Sequence, residues 1–426
     1  MIKFLKRNIV SLFIAVLLVT TFVNTPAMAS PSLDVKGESA MLIDAESGRI
    51  LYQKNPDEKL HPASMSKMMT EYILLENIKK GSIKWDQNVP ISDYVYKISQ
   101  NTTLSNVPLR KDGQYTVREL YESMAIYSAN GSTIALAELI AGTEAKFVDI
   151  MNDEAAKLGL KDYSFVNSTG LNNSDLIDMQ PKGGKNDENT MSARAVATLA
   201  YRLIHDYPEV LNTCSITKKV FKEGTKMDNW NWMLPGLVFG YNGVDGLKTG
   251  STDLGGYSFT ATAKRNDLRL ISVVMKTGSY EERFGETKKL LDYGFNNYSR
   301  KKLYPAGYKI ASNPEIPVTN GKQKKVAVES KDALVVTVKK GEENSFQPVY
   351  ELNKSLSPNG SSLTAPLEKG QTIGYLTAKY KGSDSYGYLA GSKGDKASLI
   401  TSAQVKKAGW LIMLFRNIAR FISNLF

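Results

Sequence analysis

The tetrapeptide Ser64-Met65-Ser66-Lys67 puts a hydroxyl and an amine three residues apart. On a helix these positions share a face, so a neutral Lys67 amine could take the proton of Ser64 and leave a nucleophilic oxygen. At the start of a helix, backbone N–H groups also point toward developing negative charge. Lysine is the base to look for because histidine is scarce: His61 and His205 are the only two in 426 residues. They leave few candidates for a Ser-His-Asp arrangement and exclude a metal site built on three or more histidines. Cys214 is the single cysteine, which rules out an intrachain disulfide and reads most simply as a buried apolar residue.

The Ser-x-x-Lys spacing alone is a weak signal, since it recurs at Ser215–Lys218 and Ser299–Lys302. Ser-x-Asn occurs at Ser99–Asn101, Ser128–Asn130 and Ser357–Asn359, and Lys-Thr-Gly at Lys248–Gly250 and Lys276–Gly278. Order and context separate the copies. Ser64 follows His61-Pro62-Ala63 and opens an apolar helical pattern. Ser128 stands between two apolar helices, and Lys248 follows Gly243-Val244-Asp245-Gly246-Leu247.

The elements that must hold these groups are legible. Ser39–Asp44 and Arg49–Gln53 flank Glu46-Ser47-Gly48 as a hairpin. Met65, Met68, Met69, Tyr72 and Leu75 recur at helical spacing up to Gly81. Thr116 and Glu119 form a capping box that opens a helix through about Ile126, and Ser132–Ala141 is a second apolar helix. Gly256–Ala263 and Leu268–Met275 read as a strand pair joined at Arg265-Asn266-Asp267. Strands mixed with apolar helices predict an α+β domain over residues 30–302. Short alternating segments at Lys325–Val328, Ala333–Val338 and Thr372–Ala378, with Gly, Pro, Asn and Ser clusters between them, predict an all-β domain over 303–400. On this pattern Tyr52, Trp85 and the methionines Met65, Met68, Met69 and Met124 belong to the core.

The formal net charge of +11 is unevenly spread: residues 301–426 carry 17 Lys and 2 Arg against 9 acids, while residues 1–300 are nearly balanced. Such a segment suits an anionic polymer or a membrane surface, with nucleic acid as the competitor. The two ends favour the membrane. Residues 1–29 carry Lys3, Lys6 and Arg7, then an apolar run from Ile9 to Val23, then Ala27-Met28-Ala29, the three-part plan of a signal peptide cleaved after Ala29. Export makes a nucleic-acid partner improbable. Over residues 401–426, Arg416, Asn417, Arg420, Ser423 and Asn424 form one polar stripe on a helix, opposite Trp410, Leu411, Leu414, Phe415, Ile418, Ile422, Leu425 and Phe426. That predicts an amphipathic helix lying on an anionic membrane surface; the alternative is a helix packed on its own domain.

Taken in order and context, Ser64–Lys67, Ser128–Asn130 and Lys248–Gly250 resemble the set of the penicillin-binding proteins and serine β-lactamases. The chain is closer still to the low-molecular-weight D-alanyl-D-alanine carboxypeptidases of type 5, from leader to C-terminal anchor. The resemblance implies a β-lactamase/transpeptidase-like catalytic domain, with an antiparallel sheet between helices and a helical subdomain. It implies Ser64 as the acylated nucleophile, Lys67 as general base, Ser128 as proton relay and Asn130 as a contact to the substrate's peptide amide. Lys248, Thr249 and Gly250 would bind the terminal carboxylate, and the backbone N–H groups of Ser64 and Ser251 would form the oxyanion hole. The family often has His at the position of Ser251, a change expected to touch only carboxylate contacts. Arg283 matches a family arginine that supports carboxylate binding, with a surface arginine as the competing reading. The implied partners are peptidoglycan stem peptides ending in D-Ala-D-Ala and inhibitory β-lactams, with no cofactor and no metal, at the outer face of the cytoplasmic membrane. A β-lactamase and a non-catalytic wall sensor of the same fold are the alternatives. Against the first, no extra Glu that activates deacylating water is placed by the sequence; against the second, all motif side chains are intact.

Overall fold

The computed structural model describes residues 33–382 and 385–423. The expected signal peptide lies outside them. The hairpin forms as β1 (Ser39–Asp44) and β2 (Ile50–Lys54). Residues Ala63–Ser66 make a 3-10 turn, and the α-helix proper, α1, runs Lys67–Lys80. The expectation that Ser64 opens the α-helix is therefore corrected by one turn: the Lys67 N–H bonds to the Ser64 and Met65 carbonyls in the tighter pattern. Gly81 ends α1 in the left-handed conformation, with Lys79 and Lys80 on its negative end.

A helical subdomain follows, made of α2 (Asp93–Ser99), α3 (Val117–Tyr127), α4 (Asn130–Ala141) and α5 (Glu144–Lys157). The capping box is present: Thr116 accepts from the Glu119 N–H while the Glu119 carboxylate accepts from the Thr116 N–H. One apolar stretch becomes two helices because Ser128 sits at φ 61°, in the left-handed region that stops α3.

The strands β3 (Val244–Thr252), β4 (Gly256–Arg265) and β5 (Leu268–Thr277) complete a five-stranded antiparallel sheet of order β2-β1-β5-β4-β3. Helix α6 (Ala193–Asp206) shares a core with Met41, Ile43, Ile271 and Val273 on one face. Helix α7 (Tyr280–Asn297) covers the other, where Gly294 lies against Leu270 and Leu42. Alternation along β1 thus sends Met41 and Ile43 one way and Leu42 the other. Met65, Met68, Met69 and Met124 are core, as expected.

The second module begins with β6 (Tyr298–Tyr304), which straddles the expected boundary at 302 and pairs with β9 (Leu334–Lys339). With β7 (Glu315–Thr319), β8 (Lys325–Ser330), β10 (Phe346–Leu352), β11 (Leu363–Thr364), β12 (Thr372–Tyr380) and β13 (Lys396–Thr401) it forms a six-stranded sheet of order β10-β12-β13-β8-β7-β11 beside the β6-β9 pair. The helix α8 spans Trp410–Ser423. Residues 401–409 are not part of it: Val405 is buried in the β module and bridges Leu367, and Lys407 bridges Gly321.

Candidate active site

Three elements converge on a cleft of about 380 Å³ between the edge strand β3 and the helical subdomain, lined among others by Ser64, Ser128, Asn130, Thr249, Ser251 and Arg283. Close backbone approach makes it possible. A Cβ on Gly250 would lie 2.3 Å from the Pro62 carbonyl oxygen, and one on Gly170, at φ +79°, would lie 1.9 Å from that of Ala63. Both glycines let neighbouring chain press on the turn that carries Ser64. That turn is itself strained, with Ala63 at φ 50°.

Lys67 is the hub. Its Nζ lies 2.9 Å from Ser64 Oγ, 2.8 Å from Asn130 Oδ1 and 2.8 Å from the Thr169 carbonyl oxygen, and the residue is 1% exposed. The last two partners only accept. Once the amine is neutral, they take both of its N–H groups, and the lone pair is left for the Ser64 hydroxyl to donate to. Burial pushes the Lys67 ammonium well below its ordinary pKa, the charge of Lys248 adds to this, and Glu144 opposes it. Lys248, 5% exposed, is lowered to about 8, chiefly by burial. Among the described residues neither lysine has an ion-pair partner, so both stand as uncompensated buried amines.

Asn130 bonds to the lysine and to the helical subdomain. Its Oδ1 accepts from Lys67 and its Nδ2 donates 3.0 Å to the Ser105 carbonyl, so in the free protein it orients the lysine. The Ser128 hydroxyl is buried without a hydrogen-bond partner among the described residues, in the left-handed residue between α3 and α4. Arg283 is not a surface residue: it is 1% exposed, donates 3.3 Å to the Gly250 carbonyl and lies over the Tyr280 and Phe284 rings. Burial lowers it to about 10.

The competing motif copies fall elsewhere. Lys276 is two strands from β3 and pairs with Glu38 at 2.8 Å. The Ser99 hydroxyl donates to the Tyr96 carbonyl and accepts from the Leu109 N–H. Ser357 and Asn359 sit in a turn of the β module. Sequence reasoning missed the Thr169 carbonyl, Ser105, Gly170 and a buried carboxyl, Glu71, one turn beyond Lys67 and raised by burial to about 7. A backbone carbonyl leaves no mark in residue identity, and Glu71 reads as an ordinary helix former.

Comparison with known proteins identifies the family. Residues 24–279 match the family profile described as D-alanyl-D-alanine carboxypeptidase, and residues 298–407 match that of the penicillin-binding protein 5 C-terminal domain. The chain is 31% identical to D-alanyl-D-alanine carboxypeptidase DacF of Bacillus subtilis, over 97% of this chain and 98% of that one. Against DacA of Escherichia coli the figures are 32%, 83% and 81%. Among solved structures, a peptidoglycan synthesis regulatory factor (PBP3) of Streptococcus pneumoniae superposes with a TM-score of 0.74 at 32% identity, covering 87% of this chain and 99% of that one. Penicillin binding protein 5 of Haemophilus influenzae gives 0.69 at 31%, covering 88% and 98%. With the buried serine–lysine pair, the edge-strand lysine and these matches along nearly its whole length, the chain belongs to the D-alanyl-D-alanine carboxypeptidase family.

Proposed function

We propose that this serine hydrolase removes the terminal D-Ala from peptidoglycan stem peptides by acyl transfer through Ser64. The reading rests above all on the 2.9 Å contact between Ser64 Oγ and a buried Lys67 whose other two partners only accept. Ser64 Oγ attacks the carbonyl carbon of the penultimate D-Ala and its proton passes to Lys67. The negative oxygen is held by the N–H groups of Ser64 and Ser251. The C–N bond breaks as Ser128 donates its proton to the departing amine and takes up the one held by Lys67, and D-Ala leaves with Lys67 neutral again. Water then cleaves the ester and restores the Ser64 hydroxyl. Lys248 and Thr249 hold the terminal carboxylate, and Arg283 supports the strand that carries them.

A β-lactam amide enters the same path and stays as the ester. Glu144 and Glu71, whose charges favour protonated Lys67 and Lys248 respectively, are each 4% exposed, which disfavours their activating water for rapid penicillin turnover. The working place is the outer face of the membrane. No described helix is long and apolar enough to cross a bilayer. Trp410 and Phe415 of α8 are 74% and 68% exposed, while Arg416 donates to the Gly321 and Lys322 carbonyls and ties the helix to the β module. An apolar face beside an excess of cations fits adsorption to anionic lipid.

The test is the mass of the Ser64 peptide after exposure to penicillin, with release of D-alanine from a D-Ala-D-Ala peptide. A long-lived adduct on Ser64 and steady release of D-alanine are expected, and both vanish in Ser64→Ala. Labelling that survives the substitution removes Ser64 from the role, and rapid penicillin turnover replaces the carboxypeptidase by a β-lactamase.

A further inference from the structure

The Thr169 carbonyl that fixes Lys67 belongs to a tight turn over residues 167–171, and that turn is moored to a buried acid on another element. Glu144 is the first residue of α5, where the helix N-terminus favours a carboxylate. Its Oε1 accepts from the Ser168 N–H at 2.9 Å and from the Ser168 hydroxyl at 2.6 Å, and its Oε2 accepts from the Tyr94 hydroxyl at 3.0 Å. The Ser168 carbonyl in turn accepts from Thr70 Oγ1 at 2.8 Å, one turn beyond Lys67 on α1. Inside the turn, Asn167 Oδ1 accepts from the Thr169 N–H, the Thr169 hydroxyl and the Gly170 N–H. An unbroken chain of contacts therefore runs from Glu144 through Ser168 and Thr169 to Lys67 and Ser64.

From this chain we infer that Glu144 is a positioning residue for the Ser64–Lys67 couple, its carboxylate mooring the turn whose Thr169 carbonyl aims the lone pair of Lys67 at Ser64. A neutral amine has two N–H groups and one lone pair. If the Thr169 carbonyl drifts, an N–H is free to swing toward Ser64, the serine becomes an acceptor, and the base is lost although no reacting atom has been changed. Glu144 itself is 4% exposed with both oxygens engaged, so it acts through the turn and not on substrate or water. The inference rests on the reading of Lys67 as the base.

The test follows acylation of Ser64 by penicillin across pH in the full chain, for Glu144→Ala, Glu144→Gln and Lys67→Gln, with thermal melts as the check on folding. Misplacement of the base is expected to slow acylation about 10- to 100-fold in Glu144→Ala. Glutamine can still accept from Ser168, and the Tyr94 hydroxyl can turn to accept from its amide, so Glu144→Gln keeps most of the plateau rate. It also removes a negative charge that favours protonated Lys67. Lys248 on β3 and Glu71 along α1 stay in place, so the acid limb of the profile moves to lower pH. A residue that merely fills space moves no limb. Wild-type acylation in a folded Glu144→Ala overturns the proposal, as does a Glu144→Gln that is as slow as Ala with an unmoved limb. If Glu144→Ala does not fold, the limb in Glu144→Gln decides. If folded Lys67→Gln acylates like the wild type, the reading of Lys67 falls instead.

Discussion

The cations of the cleft and those of the C-terminal module do opposite work with the same chemistry. Lys67, Lys248 and Arg283 are 1, 5 and 1% exposed and have no ion-pair partner among the described residues. Lys322, Lys324, Lys325 and Lys369 stand in solvent on the β module. Burial makes each cleft cation expensive, and so lowers the ammonium groups of both Lys67 and Lys248. Exposed lysines keep their hydration and act only in sum, within a screening length of about 8 Å at physiological salt. Almost all the net charge lies in the second region and almost all the chemistry in the first. On the proposed function, net charge bears on where the protein sits and burial on what it does.

Substitutions that disturb the cleft should dwarf those that disturb the module. The largest effect short of removing Ser64 is expected for Gly170→Ala, whose new Cβ would lie 1.9 Å from the Ala63 carbonyl oxygen. Displacing the nucleophile's turn should cost at least about 100-fold in the rate of penicillin acylation, measured by stopped-flow fluorescence. Next comes Lys248→Gln, which should raise KM for a D-Ala-D-Ala peptide with a smaller change in kcat, and leave a peptide with an amidated C-terminus unaffected.

The pH profile follows from the same two lysines. Lys67 must be neutral, so kcat/KM falls as pH drops through its lowered pKa. Lys248 must be charged, so kcat/KM falls again as pH rises through about 8. Lys248→Gln should erase the upper limb. The Glu71 carboxylate favours charged Lys248, so Glu71→Gln should move the upper limb to lower pH by a fraction of a unit, visible in a titration of kcat/KM.

The smallest effect on chemistry is expected from removing residues 410–426. Hydrolysis of a soluble peptide should be unchanged, whereas sedimentation with anionic vesicles should be lost, and in the intact chain that binding should weaken as salt rises. A truncation that slows the soluble reaction as much as Lys248→Gln would break the division between the two regions.

The site was legible where its parts are local. Ser64 and Lys67 lie within one helical turn, and the Thr116–Glu119 capping box and the hairpin are read from neighbours alone. Arg283 was ambiguous because an arginine in Glu281-Glu282-Arg283 looks solvated until α7 is laid on the sheet and buries it. The hydrogen bonds of Asn130 to Lys67 and to the Ser105 carbonyl were not legible, because they join segments 63 and 25 residues apart. The segment expected over 401–426 is helical only from Trp410, because the backbones of Val405 and Lys407 pair with Leu367 and Gly321, contacts that no local pattern shows.

By itself the sequence determined the candidate reacting groups and their order, the scarcity of histidine that turns attention to lysine, and the basic, amphipathic end of the chain. Only the tertiary structure decided that Lys67 and Arg283 are buried, and that the Lys67 amine meets a carbonyl 102 residues away. The physical reason is that residue type and spacing specify contacts within a turn or a hairpin. The protonation and direction of a buried amine depend on desolvation and on backbone groups that every residue carries, and only packing brings those to one point.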